Sequence, residues 1–146
     1  MIRVAVAARS FARNLALRAE LGARYPAVTF SESAQLLDGD ALVSFLRGHD
    51  RAIIGLERVD EGVLSQLPEL RVISKYGVGL DGIDVGAVGR RGIKLGWTGG
   101  VNRRSVAELT LAFAIALLHR VPECEVTLRK GHWQKQIGRA SCRERV

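Results

Sequence analysis

A group of glycines directly after an apolar segment is the part of this chain best suited to chemistry. Residues 70–74 are apolar and β-rich, and they are followed by Lys75 and by Tyr76-Gly77-Val78-Gly79, called the 76–79 turn below. Glycine lacks a Cβ, so backbone N–H groups in such a turn can approach a small ligand closely. Lys75 adds a positive charge just before the turn. This pattern favours a small carboxylate ligand, although a plain tight turn accounts for the glycine spacing equally well.

The residues from Gly77 to Gly82 also match the G-x-G-x-x-G pattern of dinucleotide-binding proteins. That pattern requires an acidic residue about 20 positions later, at the end of the next strand. After Asp84, no acid follows until Glu108, which lies in a predicted helix. Asp81 and Asp84 would also repel a diphosphate. We therefore predict that this turn is not a pyrophosphate site.

Apolar β-rich segments alternate with amphipathic segments through residues 2–96. The predicted strands cover residues 2–8, 27–30, 51–55, 70–74 and 93–96. The predicted helices cover residues 11–23, 40–46 with Asp40 as the cap, 60–67 and 83–91. Alternation at this spacing is typical of βαβ units, which form a parallel sheet covered by helices on both faces. Ligands of such sheets bind at the carboxyl ends of strands, where the 76–79 turn is predicted.

A different pattern begins after the fifth predicted strand. Residues 99–100 are two glycines that form a flexible joint. Ser105 and Glu108 match a capping box, in which the two side chains bond free backbone N–H groups at the start of a helix. Residues 106–118 are apolar almost all round, which favours a helix buried against a partner. A core helix of the first domain is the alternative. Pro122 begins or kinks a further helix.

Composition and charge limit the classes of function. The chain has 146 residues, of which 47% are hydrophobic and 25% charged, and a formal net charge of +7. Most basic residues are scattered singly among acids and do not alternate with aromatics, so we expect no nucleic-acid partner. The longest apolar run is too short to span a bilayer, and the N-terminus lacks a signal-peptide pattern, so we expect a cytoplasmic protein without a membrane partner. The two cysteines and three histidines lack the spacing of a metal site.

Two motifs together resemble one known family. Residues 70–133 contain G-V-G-x-D-x-I-D from Gly77 and G-V-N-R-R-S-V-A-E-L-T from Gly100, and they closely resemble the D-isomer-specific 2-hydroxyacid dehydrogenases, in particular the phosphoglycerate-dehydrogenase-like branch. Residues 1–69 are more loosely similar to that family's amino-terminal substrate domain. The resemblance implies an α/β, flavodoxin-like substrate domain over residues 1–97. A hinge and the first helices of a truncated Rossmann NAD-binding domain would follow over residues 98–136.

The resemblance also implies roles for individual residues. In the family, the segment matching the 76–79 turn holds the substrate carboxylate with backbone amides, and here Lys75 stands beside it. The position of Val78 also approaches the NAD or NADP cofactor, and the position of Val106 lies near the nicotinamide. The helix matching residues 105–118 takes part in dimer contacts, so we expect the parent protein to be a homodimer.

The implied activity is hydride transfer between NAD(P) and a D-2-hydroxy acid, either phosphoglycerate or a related acid. The family's nucleotide fingerprint, ribose-binding acid and Arg, Glu and His catalytic set lie beyond the matched region. We therefore expect no catalytic residue, no metal, an incomplete cofactor site and no turnover in this chain. A non-enzymatic α/β module that binds a small ligand is the alternative.

Two departures from the family pattern concern the turn and the hinge. Gly82 stands where the family often has Asn, and Gly96-Trp97-Thr98-Gly99 replaces the usual T-N-T-P hinge. We expect the hinge to be looser without the proline, and Trp97 to alter substrate preference.

The final segment, residues 137–146, fits no element of this pattern. Written as codons, it matches a common sequencing-adapter stretch, so we interpret it as translated adapter sequence. A natural basic tail is the alternative.

Overall fold

A computed structural model of the chain describes residues 1–133. The interpreted adapter segment, residues 137–146, lies outside the described residues. The chain divides into two compact units, Met1–Gly100 and Val101–Val146.

The first unit contains a five-stranded sheet in which every neighbouring pair is parallel. The strands are β1 (Arg3–Val6), β2 (Ala27–Phe30), β3 (Arg51–Ile54), β4 (Val72–Lys75) and β5 (Lys94–Gly96). Their order across the sheet is β2-β1-β3-β4-β5. This is the flavodoxin-like order, in which the reversal beside β1 opens a crevice at the carboxyl edge. The predicted parallel α/β fold is confirmed.

Five helices cover the two faces of this sheet. They are α1 (Arg9–Ala12), α2 (Leu15–Arg24), α3 (Gly39–Leu46), α4 (Glu61–Ser65) and α5 (Val85–Arg90). Successive strand side chains point to opposite faces. Val4 and Val6 pack in a cluster with the apolar side chains of α1 and α2, whereas Ala5 and Ala7 belong to the larger core cluster with those of α3, α4 and α5. Both faces of β1 are therefore buried, as the unbroken apolar run predicts.

Two predictions about helix boundaries are wrong. Residues 11–23 do not form one helix, because the side chain of Asn14 accepts hydrogen bonds from the N–H groups of Ala16 (3.0 Å) and Leu17 (3.2 Å) and begins a new helix, α2. The cap of α3 is Asp38 and not Asp40. Asp40 lies in the first turn of α3, where its charge favours the helix dipole.

The described part of the second unit consists of helices α6 (Arg103–Leu118) and α7 (Val121–Arg129). The predicted capping box is wrong, because α6 starts two residues before Ser105 and no side chain caps it. Glu108 instead pairs with Arg104, one turn away, at 2.8 Å. Pro122 lies in the first turn of α7, which confirms that this residue begins a helix.

No residue of α6 is buried. Within residues 1–133 no single helix is long and apolar enough to cross a membrane, although α6 and α7 pass that test as a pair bent by 61°.

Candidate functional site

The 76–79 turn lies at the carboxyl end of β4, as predicted. The N–H of Tyr76 donates to the carbonyl of Ile54 on β3 at 2.7 Å, which fixes the start of the turn beside the neighbouring strand. Gly77 then adopts φ +146, a conformation that residues with a side chain rarely adopt. The backbone conformation at position 77 therefore requires glycine.

The turn has three backbone N–H groups that are not bonded to the rest of the described chain. Gly77, Val78 and Gly79 are exposed, and none of their N–H groups donates to another residue within 1–133. Tyr76 cannot contribute its N–H in the same way, because that group is bonded to Ile54. Adjacent free N–H groups in a glycine turn form a concave partial positive charge that suits an oxyanion. Three of the four turn residues therefore have backbone N–H groups available to a ligand, and the substrate-binding role of Lys75 and residues 76–79 stays a prediction.

Lys75 lies beside the turn but is partly engaged. Its ammonium donates to the carbonyl of Gly55, the residue that follows β3. Its chain runs close to the turn, since a Cβ on Gly77 would lie 3.7 Å from Cε of Lys75. An ammonium has three donors, so one bond to Gly55 leaves two for a ligand or water. The positive charge expected near the turn is present there.

Glu57 is a buried acid at this edge that the sequence analysis missed. It is 1% exposed, and its Oε2 accepts the N–H of Gly55 at 2.6 Å. The peptide groups of Gly55 thus bond a carboxylate on one side and the Lys75 ammonium on the other. A buried carboxylate needs such donors, because losing water without compensation is costly. In the sequence, the only signal was an acid placed two residues after the glycine that ends a strand.

The loop containing Glu57 also supports the far end of the glycine segment. Val59 donates to the carbonyl of Gly82 at 2.8 Å, and Asp84 donates to the carbonyl of Val59 at 2.9 Å. A Cβ on Gly82 would lie 3.2 Å from the carbonyl oxygen of Glu57, which is tighter than an ordinary contact. This close approach accounts for glycine at position 82, where the family often has Asn. Residues 54–59 therefore hold the glycine segment at both ends.

Aromatic side chains border the turn on two sides. The ring of Tyr76 meets that of Phe11 on α1 edge-on, with 5.3 Å between centroids. The indole N–H of Trp97 donates to the carbonyl of Val78 at 3.0 Å. The residue that departs from the family hinge thus contacts the turn itself, and its influence on substrate preference stays a prediction.

The glycine segment does not fit a dinucleotide pyrophosphate. Helix α5, which follows it, has six residues, and its first turn is already capped by Asp84, whose Oδ1 accepts the N–H of Ala87 at 2.8 Å. The carboxylate of Asp81 lies over Gly79, since a Cβ there would be 2.9 Å from Oδ2 of Asp81. Two carboxylates at this end would repel the phosphates of NAD. The pyrophosphate of a dinucleotide would have to bind to residues outside this glycine segment.

The cofactor contacts predicted for Val78 and Val106 stay predictions. Val78 is 37% exposed in the first unit, and Val106 is 53% exposed in the second. Within residues 1–133, no group of three His, Cys, Asp or Glu side chains could hold a metal ion.

Comparison with known proteins gives a consistent result. The family model "D-isomer specific 2-hydroxyacid dehydrogenase, catalytic domain" matches residues 8–143. Glyoxylate/hydroxypyruvate reductase A of Arabidopsis thaliana is 33% identical over 121 residues, which cover 82% of this chain and 38% of that protein. The glyoxylate reductase of Thermofilum pendens is 36% identical over 98 residues, covering 67% of this chain and 26% of that protein.

A solved structure shows the same fold. D-lactate dehydrogenase of Aquifex aeolicus, in complex with NAD and lactic acid, matches with a TM-score of 0.76 at 19% identity, over 93% of this chain and 40% of that one. The chain spans less than half the length of these relatives. Because the family model covers almost all of the sequence, the chain belongs to the D-isomer-specific 2-hydroxyacid dehydrogenases, a family of NAD(P)-dependent oxidoreductases.

Proposed function

We propose that this chain supplies the carboxylate-binding part of an oxidoreductase that transfers a hydride between NAD(P) and a D-2-hydroxy acid. The observation that carries the proposal is the set of three free N–H groups on Gly77, Val78 and Gly79 at the carboxyl edge of the sheet. These donors would fix the substrate carboxylate, and the Lys75 ammonium would add a favourable charge that offsets the Asp81 carboxylate over Gly79. Fixing the carboxylate orients the neighbouring carbon, at which the family's chemistry takes place.

The substrate we propose is a small acid of the phosphoglycerate, glyoxylate or hydroxypyruvate type. The names of the relatives support the last two, since they are reductases of glyoxylate and hydroxypyruvate. The turn itself recognises only the carboxylate that these acids share. Trp97, whose indole is bonded to Val78, would contact the variable part of such an acid.

We propose that the 146-residue chain binds these acids without turning them over, because none of its described residues matches the family's Arg, Glu and His catalytic set. Saturation-transfer NMR should detect binding of D-lactate and D-glycerate, but not of lactamide, which lacks the charge. NADH absorbance should stay constant when the chain is mixed with glyoxylate or hydroxypyruvate. Equal signals for lactate and lactamide would contradict carboxylate recognition, and NADH consumption would contradict inactivity.

We also propose a homodimer formed through the helix at 105–118. Seven apolar residues in this stretch are each more than half exposed: Val106, Leu109, Leu111, Phe113, Ile115, Leu117 and Leu118. Contiguous apolar surface of this kind usually marks an interaction site. Sedimentation velocity should therefore show a concentration-dependent dimer. Phe113→Glu should abolish it, and Lys130→Glu, directly after α7, should not. A monomer at every concentration, or a dimer unchanged by Phe113→Glu, would contradict the proposal.

A further inference from the structure

We propose a second oxyanion site at the same carboxyl edge, one that holds a phosphate group. We call it the arginine pocket. It is a concavity of about 190 Å³ where α1, α2 and the segment after β2 meet. Its polar lining consists of Arg9, Arg13, Arg18, Ser31, Glu32 and Ser33. Phosphate binding in this pocket is independent of the proposed carboxylate site. The idea that the pocket holds the phosphate group of a substrate rests on the proposed function.

The pocket carries an excess of positive charge. Three arginines and a single acid, Glu32, line it; the Glu32 carboxylate pairs with Arg18 at 3.2 Å and is 78% exposed. Arg13 makes no side-chain hydrogen bond or ion pair within residues 1–133. Many other arginines of the described chain are paired with an acid, such as Arg24 with Glu20. An arginine cluster with so little counter-charge favours an anion.

Two of the three arginines are held in place by backbone contacts. Arg9 donates to the carbonyl of Ala34 at 2.8 Å, and Arg18 donates to the carbonyl of Ala12 at 2.9 Å. The guanidinium of Arg18 also lies 4.2 Å from the centroid of the Phe30 ring. Each guanidinium has five N–H donors, so these contacts leave donors free. Side chains that are already ordered lose less entropy when a ligand binds.

A buried hydroxyl adds a neutral donor to the lining. Ser31 is 7% exposed, and its Oγ accepts the N–H of Ser33 at 3.3 Å. The Ser31 hydroxyl donates to no acceptor within residues 1–133. The Ser33 hydroxyl donates to the carbonyl of Gln35 at 2.9 Å. Ser31 therefore offers an unused O–H donor beside the guanidinium groups.

Size and donor type point to a single phosphate group. Pockets for whole ligands usually measure about 300–1,000 Å³, so 190 Å³ suits one charged group instead. Guanidinium forks bond two oxygens at once, and a phosphate offers enough oxygens for several such donors. The neighbouring helix α1 carries Phe11, which contacts Tyr76 of the turn. Helix α1 thus lines the arginine pocket and also contacts the 76–79 turn.

Titration of the isotope-labelled 146-residue chain with inorganic phosphate tests this proposal, with chloride replaced to keep the ionic strength constant. Backbone N–H signals of residues 9–13 and 31–33 should shift and saturate together. Arg13→Gln should weaken phosphate affinity about tenfold, as expected for loss of one charge-assisted contact. Arg13→Lys should retain part of the affinity, and Glu32→Gln should raise it because the competing acid is removed.

Arg71→Gln is the matched control, since Arg71 is exposed at the opposite, amino-terminal end of β4 and should not affect binding. Unchanged urea midpoints would show that the variants fold. Absence of saturable shifts, or equal affinity for Arg13→Gln and the unmodified chain, would overturn the proposal. Gly77→Ala should leave the affinity for inorganic phosphate unchanged. Failure of the proposed carboxylate site can therefore be told apart from failure of the phosphate site. If 3-phospho-D-glycerate binds more tightly than either phosphate or D-glycerate, the pocket holds the phosphate group of a substrate. If 3-phospho-D-glycerate and inorganic phosphate bind with equal affinity, the pocket is a site for free phosphate.

Discussion

Replacement of Gly77 by alanine should destabilise the fold through the backbone alone. Gly77 has φ +146, and the atom nearest to a Cβ built there is Cε of Lys75 at 3.7 Å, an ordinary contact. The cost therefore comes from conformation and not from a steric clash. Holding a non-glycine residue in such a region costs about 1–3 kcal/mol. For a domain of this size, about 2 kcal/mol lowers the melting temperature by roughly 8–16 °C.

Urea unfolding followed by circular dichroism measures this change directly. Gly22→Ala is the matched control, because Gly22 lies inside α2 with nothing within 4 Å of its Cβ position and no positive φ. That variant should gain about 0.5–1 kcal/mol, since alanine is the better helix former. The account of the turn would be refuted if the free energy of unfolding of Gly77→Ala lay within about 0.5 kcal/mol of that of the unmodified chain while Gly22→Ala behaved as expected.

Three further predictions concern other parts of the chain. The hydrogen bond from Arg91, reinforced by Arg90, lowers the pKa of Glu61 from its ordinary 4.5. The ionised Glu61 therefore stabilises the fold above that pH, and this stabilisation is lost as the pH falls below it. In urea midpoints measured from pH 3 to 7, Glu61→Gln should reduce the decrease in stability at acidic pH. Glu57→Ala should cost about 3 kcal/mol, because it leaves the Gly55 N–H without its buried acceptor and opens a cavity, and a loss below 1 kcal/mol would contradict that role. Ser105→Ala should change helicity and stability by less than about 0.5 kcal/mol, because Ser105 lies inside α6, whereas loss of a true cap costs about 1 kcal/mol.

The sheet could be predicted from the sequence because its signals are local. The apolar run at residues 4–8 and the glycine after β4 each specify their own conformation, and the alternation of elements then determines a parallel arrangement. Helix boundaries were less accurate, because Asn14, Asp38 and Asp40 are all capable caps and sequence alone does not show which one bonds a free N–H.

The site was predicted only in part, because its support comes from distant segments. The turn residues are contiguous, so their donors could be recognised together. Glu57 is 19 or more residues away from the turn, and an acid in a loop usually stays in water. The arginine pocket combines α1, α2 and the segment after β2, and in the sequence its arginines resemble a solvated surface.

The central claim is that the free N–H groups of the 76–79 turn bind a carboxylate, and amide-resolved NMR tests it most directly. On titration with D-lactate, the N–H signals of Gly77, Val78 and Gly79 should shift with one common dissociation constant, while that of Tyr76, bonded to Ile54, should move least. Gly77→Ala should weaken the binding, because alanine disfavours the backbone conformation of the turn. Shifts that do not saturate, or that centre on residues away from the turn, would contradict the claim.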